Sequence, residues 1–384
     1  MARAYLDHAS SSPLRPAALE AMLPFLREHH ADPGRLHAEG HVTRVAVENA
    51  REQVAARFGA RPREVVFTAS GTEAINTAVW GALARAAGGG GDGGHVVTTA
   101  VEHSAVLDAI GRGATEITVV GVDRVGRFDP DEVTAAIRTD TVLVSVQLAN
   151  HEVGTLQPAA AVVARARERG VVVHVDACAA AGHVAVDFAG LGADLCSITA
   201  HKFGGPKGAA ALLVRRGLRF PPFVVGGAQE RARRGGIENV PAIVGFGAAA
   251  LEAGADGRTA DNETVGARER ALTNRLVRET MARTEGVERY GDPADALPHL
   301  VCFGIEGVEA EPILLALDQR GVAVHSGSSC SSETLEPSPV LEAMGVDADR
   351  SLRMSVGWSS TDADVDAFVE AFPAVLEMLR GLRR

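Results

Sequence analysis

Apolar residues in this chain gather into short runs separated by amphipathic stretches. VVFT (65–68), HVVTTA (95–100), TEITVVGV (115–122), TVLVSVQLA (141–149), VVVHVDA (171–177), LCSITA (195–200) and AAALLVR (209–215) are β-rich and end at turn residues. Most positions within them are apolar rather than alternating, which predicts strands covered on both faces. Helical patterns lie between the runs, one starting near Thr72 and another at His103. Strands that alternate with helices predict an α/β domain around a mostly parallel, seven-stranded sheet.

The pattern changes after a long polar-faced helix predicted over 260–284. VERYG, HLVCFGI, VAVHSG and SLRMSV then read as strands among helices near 309–320, 338–344 and 362–381. This predicts a smaller α+β domain. A chain of 384 residues exceeds what one simple core organises. The expected division is a large domain over 15–256 and a small one made of 1–14 and 257–384. AAGGGGDGG (86–94) reads as a loop after a helix.

Composition narrows the function classes. A net charge of -11 argues against nucleic acid as a direct partner. No uncharged apolar stretch reaches membrane-spanning length, and the first residues lack the apolar core of a signal peptide, so a cytoplasmic location is expected. Cys178, Cys196, Cys302 and Cys330 form no CxxC pair, so neither a metal site nor a disulfide framework is expected.

Three stretches could carry chemistry. In TASGTEAIN (68–76) a strand runs through Ser70, Gly71 and Thr72 into a helix; either Thr72 simply caps that helix or its free N–H groups hold a phosphate. In HVDACAAAG (174–182), Asp176 closes an apolar strand at the edge where ligands bind in open α/β sheets. Such a carboxylate either caps the next turn or pairs with a protonated ring nitrogen. In SITAHKFGGPKG (197–208), Lys202 follows a strand and precedes a Gly-Gly-Pro turn, where a lysine can form a Schiff base with a carbonyl. Phosphate loop, Asp and Lys in that order are the parts of a pyridoxal 5'-phosphate site. Separately, HSGSSCSSE (325–333) sets Cys330 among serines and glycines, a setting for a surface loop and not for core packing.

These stretches, with YLDHASSSP (5–13), VEHSAVLDA (101–109), ANHEVGTLQP (149–158), GGAQERARRGG (226–236) and SLRMSVG (351–357), resemble the NifS/IscS-type cysteine desulfurases. Those belong to the class V branch of the fold-type I pyridoxal-phosphate enzymes, and the likeness runs nearly end to end. It implies a homodimer that converts L-cysteine to L-alanine and passes the sulfur, as a persulfide on Cys330, to an acceptor protein. Iron–sulfur assembly, thio-nucleoside synthesis, DNA phosphorothioation and other thiolation pathways are the acceptors it leaves open. A selenocysteine or cysteine-derivative lyase, or another class V activity, is the alternative.

By the same resemblance, Lys202 would carry the cofactor and act as base at Cα, and Asp176 would pair with the ring nitrogen. His103 would stack on the ring, and Asn150 would reach its phenolic oxygen and the substrate. Ser70, Gly71, Thr72, Thr199 and His201 would hold the phosphate, and Arg353 the substrate carboxylate. Cys178, Cys196 and Cys302 are expected to be core thiols, and His37, His95 and His174 structural. Three positions depart from the family pattern: Ala179 stands where Gln is usual, Ile237 where a Thr would reach the neighbouring subunit's phosphate, and ADPGRLH (31–37) replaces GNPSS-x-H.

Overall fold

The computed structural model describes residues 3–88, 93–253, 264–327 and 337–382. The chain enters through a short strand, β1 (Ala4–Tyr5), and two helices, α1 (Pro16–Arg27) and α2 (Ala38–Arg57). The α/β alternation follows: β2 (Val65–Thr68), α3 (Gly71–Ala86), β3 (Gly93–Thr99), α4 (Ser104–Gly113), β4 (Ala114–Val120), α5 (Pro130–Ala135) and β5 (Thr141–Gln147). It continues with α6 (Ala159–Glu168), β6 (Val172–Asp176), α7 (Phe188–Leu191), β7 (Leu195–Thr199) and β8 (Ala210–Val214). These strands form one seven-stranded sheet in the order β2-β8-β7-β6-β5-β3-β4. Only β8 runs antiparallel to its neighbours. The expected mostly parallel sheet is therefore present.

Why the strands pair this way follows from their burial. Every residue of β2, β6, β7 and β8 is buried, as continuous apolar runs require. At the edge strand β4 the expectation of two covered faces fails. Ile117 and Val119 are exposed, and only Val120 is buried.

A single turn, α8 (Gln229–Ala232), and two helices, α9 (Val240–Glu252) and α10 (Val265–Arg283), lead into the second part. It comprises β9 (Val287–Tyr290), β10 (Leu300–Ile305), α11 (Ala310–Asp318), β11 (Val322–Ala323), β12 (His325–Ser326), α12 (Pro339–Ala343), β13 (Ser351–Ser355) and α13 (Asp362–Gly381). VAVHSG, expected as one strand, is two: β11 pairs with β1, and β12 with β13. The second sheet is antiparallel, in the order β12-β13-β10-β9. Its core joins Ala4 and Leu6 to Phe303, Leu352, Phe368 and Phe372. A separate core around Phe58, Phe67, Phe203 and Phe246 lies in the first part.

Candidate active site

The carboxyl ends of β6 and β7, the start of α3 and the strand β13 from the second part converge on one cavity of about 280 Å³. Ser70, Gly71, Thr72, His103, Asp176, Thr199, His201, Lys202 and Arg353 line it. These positions lie up to 283 residues apart between Ser70 and Arg353. Cys330 lies outside the described residues.

The cradle is built at the start of α3. Ser70 is the N-cap, accepting the Glu73 N–H at 3.1 Å. Gly71 follows because a Cβ there would meet Cys178 Sγ at 2.9 Å. Beneath it, β2 is an outer strand of the sheet, and two charged side chains take the place of a pairing strand. Glu230 accepts the Phe67 N–H at 2.9 Å, and Arg51 donates to the Val65 carbonyl at 3.1 Å. Arg51 and Glu230 close on each other through two bonds of 2.7 Å, fully buried. Glu230, Arg231 and Ala232 all have positive φ, of 48°, 58° and 62°. Each such residue costs about 1–3 kcal/mol, so the buried ion pair and its backbone bonds must over-determine the turn. Arg234 then holds Glu73 at 2.8 and 3.2 Å, fastening the same segment to the first turn of α3.

Lys202 lies in a 3-10 turn, His201–Phe203, directly after β7. Gly204 closes it at φ 91°, where a Cβ would strike Arg15 Cγ at 2.5 Å. The Lys202 carbonyl accepts from Ser12 Oγ at 2.9 Å and from His183 Nε2 at 3.2 Å. Asp176 ends β6 and accepts the Cys178 N–H at 3.0 Å, so it caps a turn and faces the cavity at once.

His103 is the N-cap of α4, and its Nδ1 accepts the Ala105 N–H at 3.0 Å. The proton of the neutral ring therefore sits on Nε2. Burial, and then the Lys202 charge, push the ring below its ordinary range. Arg353 is buried, donating to the His151 carbonyl at 3.0 Å, Ser10 Oγ at 2.7 Å and Asp7 Oδ1 at 3.1 Å.

Asn150 is not among the lining residues. Its Oδ1 accepts the N–H groups of Glu152 and Val153, both at 2.9 Å, and its Nδ2 donates to the Val101 carbonyl. The next residue, His151, lines the cavity instead, its ring 5.1 Å from that of His103. Burial, reinforced by His103 and Lys202, drives His151 far below the ordinary histidine range. Sequence reasoning also missed Gln147, which stands opposite Asp176 on the neighbouring strand. The signal was available, since Gln147 ends β5 on the same sheet edge. Cys178 is buried as expected but lines the cavity, whereas Cys196 and Cys302 are fully buried. Their thiols are pushed up by burial.

The histidines expected to be structural have structural partners. His37 caps α2, His95 joins Thr141 to Thr118, and His174 joins Ser145 to Ser197. A ring nitrogen each of His183 and His299 and a carboxylate oxygen of Glu269 lie within 4.8 Å of one another. The two imidazoles stack at 3.4 Å and 14°, so their in-plane lone pairs run parallel and do not converge on an ion.

The cavity suits pyridoxal phosphate. Thr199 Oγ1 and His201 Nδ1 are buried without a hydrogen-bond partner, and both residues line it. With the Gly71 and Thr72 N–H groups of the first turn of α3, which line the same cavity, they are the donors a phosphate needs. A carboxylate, an imidazole and a lysine stand around the same space, as a cationic aromatic aldehyde requires.

The family model described as aminotransferase class-V matches residues 4–368. The chain belongs to the class V aminotransferase family, whose enzymes depend on pyridoxal phosphate. Within it, the chain is 40% identical to the cysteine desulfurase IscS of Dictyoglomus turgidum, over 98% of this chain and 95% of that protein. A solved NifS-like protein superposes with a TM-score of 0.88 at 30% identity, covering 98% of this chain and 100% of the other. A structure titled SspA in complex with cysteine has a TM-score of 0.79 at 28% identity, covering 92% and 98%.

Proposed function

We propose that this protein is an L-cysteine desulfurase. The observation that carries the reading is the single cavity that joins Lys202, Asp176, His103 and Arg353 to the Ser70–Thr72 cradle. Relatives at this level of identity carry that activity in their names. Bound there, pyridoxal phosphate would supply the electron sink for chemistry at the substrate's Cα.

The chain's own residues do the rest. Asp176 keeps a proton on the ring nitrogen. Ser70, Thr72, Thr199 and His201 bond the phosphate. Arg353 takes the substrate carboxylate, and its Nε, buried without a partner, marks an unfilled contact. Lys202 removes the Cα proton. His103, held neutral, would accept and return a proton in the cavity. The Cys330 thiolate attacks the substrate sulfur: the C–S bond breaks, an S–S bond forms, and alanine and a Cys330 persulfide result.

A sulfur acceptor then takes the terminal sulfur. The protein acts in the cytoplasm as a homodimer; exposed Leu36, Val225 and Ile237 and the half-exposed Trp80–Phe223 contact support the dimer. No described helix is long and apolar enough to cross a membrane. A large domain of 15–256 and a small one of 1–14 plus 257–384 is the division we favour; two main cores support it, with Ala9, Leu297 and Leu300 packing in the first. Incubation with L-cysteine and a reductant tests the function: alanine and sulfide should appear in equal amounts. Ammonia and pyruvate in their place would indicate lyase chemistry.

A further inference from the structure

Behind Lys202, outside the cofactor cavity, lies a buried cluster that the proposed reaction does not use. His183 stands on the segment between β6 and α7, Glu269 on α10, His299 just before β10 and His8 after β1. All four are buried. His183 Nδ1 is 3.0 Å from both Glu269 carboxylate oxygens, and Nε2 is 3.2 Å from the Lys202 carbonyl. The Lys202 carbonyl can only accept, so Nε2 donates; opposite an ionised Glu269, Nδ1 donates as well. His299 stacks on this ring at 3.4 Å and, by burial first and then the His183 and His8 charges, is held far below its ordinary range. His8 bonds Ser12 and Ser360, and Ser12 donates to the same Lys202 carbonyl at 2.9 Å.

We propose that His183 is a positioning residue for Lys202: an imidazolium, paired with buried Glu269, that pins the lysine's backbone and sets the charge behind it. The lysine turn is thereby tied to α10 and to the second part of the chain, where Arg353 resides. The charge matters as well. A cation beside the turn disfavours the protonated lysine nitrogen, whereas Glu269 alone favours it. The other charged or titratable groups around the pair are His8, His299, Arg15, Arg353 and Lys202 itself.

The inference rests on Lys202 being the point of cofactor attachment, and the experiment separates the two claims. Borohydride reduction and peptide mapping of the holoenzyme should place the cofactor on Lys202. A label elsewhere overturns that reading of the site. The visible absorption of the holoenzyme is then titrated with pH. His183→Gln keeps a donor to the carbonyl but removes the cation and leaves Glu269 unpaired. Its absorption midpoint should rise by about half a unit or more. His183→Lys, which restores the charge, and H183Q/E269Q, which removes both charges, should each return toward wild type. An unchanged midpoint in H183Q, with Lys202 still labelled, overturns the proposal. Should H183Q not fold, NMR of isotope-labelled histidine in the wild type decides. Two protonated ring nitrogens on His183 at neutral pH support the assignment, and one overturns it.

Discussion

Ala179 and Ile237 are the residues at which this cofactor site should be weakest. Ala179 lines the cavity with no polar atom to offer, and Ile237 is 64% exposed with none either. Asn239 does not line the cavity, and its Oδ1 accepts the Ala242 N–H as the cap of α9. A hydrogen bond to a charged group is worth about 1.5–3 kcal/mol, so each missing donor weakens retention roughly tenfold or more. Cofactor should therefore leave during turnover, and added pyridoxal phosphate should raise activity. Ile237→Thr with Ala179→Gln should hold cofactor better through dialysis; equal retention in wild type and variant would show that Gln147 and His151 already supply the missing contacts.

Neighbouring residues also mark the limit of what the chain's letters disclose. Lys202 and Asp176 were legible because each follows an apolar strand at the ligand-binding edge. Asn150 and His151 were not separable, because a turn decides which of two adjacent side chains faces inward. Here two backbone N–H groups claim Asn150. The His183–Glu269 pair spans 86 residues and has no local signature at all.

At the scale of elements, the outer strand β2 depends on Glu230 and Arg51 instead of a pairing strand. Glu230→Gln would leave a buried guanidinium short of its partner, a change that costs about 3–5 kcal/mol. The variant should unfold at markedly lower urea and lose cofactor first, because β2 leads straight into the Ser70–Thr72 cradle. Replacing both partners, Arg51→Met with Glu230→Met, should recover only the part due to the unpaired charge, because the Phe67 N–H stays without its acceptor. If E230Q matches wild type in urea, the ion pair does not hold this edge. Strands and helices of this sheet were legible from apolar runs between turn residues. The division of VAVHSG was not, because β11 and β12 join different sheets through partners distant in sequence, β1 and β13.

For the whole molecule, buried neutral histidines set the response to acid. His8, His174 and His201 are each held down to about 4, with burial the largest cause. The unfolded chain takes up protons at these rings from about pH 6.5 downward, while the folded chain does not until about pH 4. Their penalty is absent above the first value, grows as pH falls, and is complete below the second. His174, fully enclosed between Ser145 and Ser197, would contribute about 3 kcal/mol of that loss. Urea midpoints should fall steadily across this window, and less steeply in His174→Gln. A flat profile would mean that these rings are not neutral in the folded protein.

Above all, this fold is expected to move sulfur from cysteine to its own thiol. Intact-mass and peptide mass spectrometry after brief exposure of the holoenzyme to L-cysteine tests it most directly. One added sulfur on the peptide containing Cys330, removed by reductant, with stoichiometric alanine and no such adduct in Cys330→Ser, is the predicted result. Sulfide and alanine released at the normal rate by Cys330→Ser would contradict it.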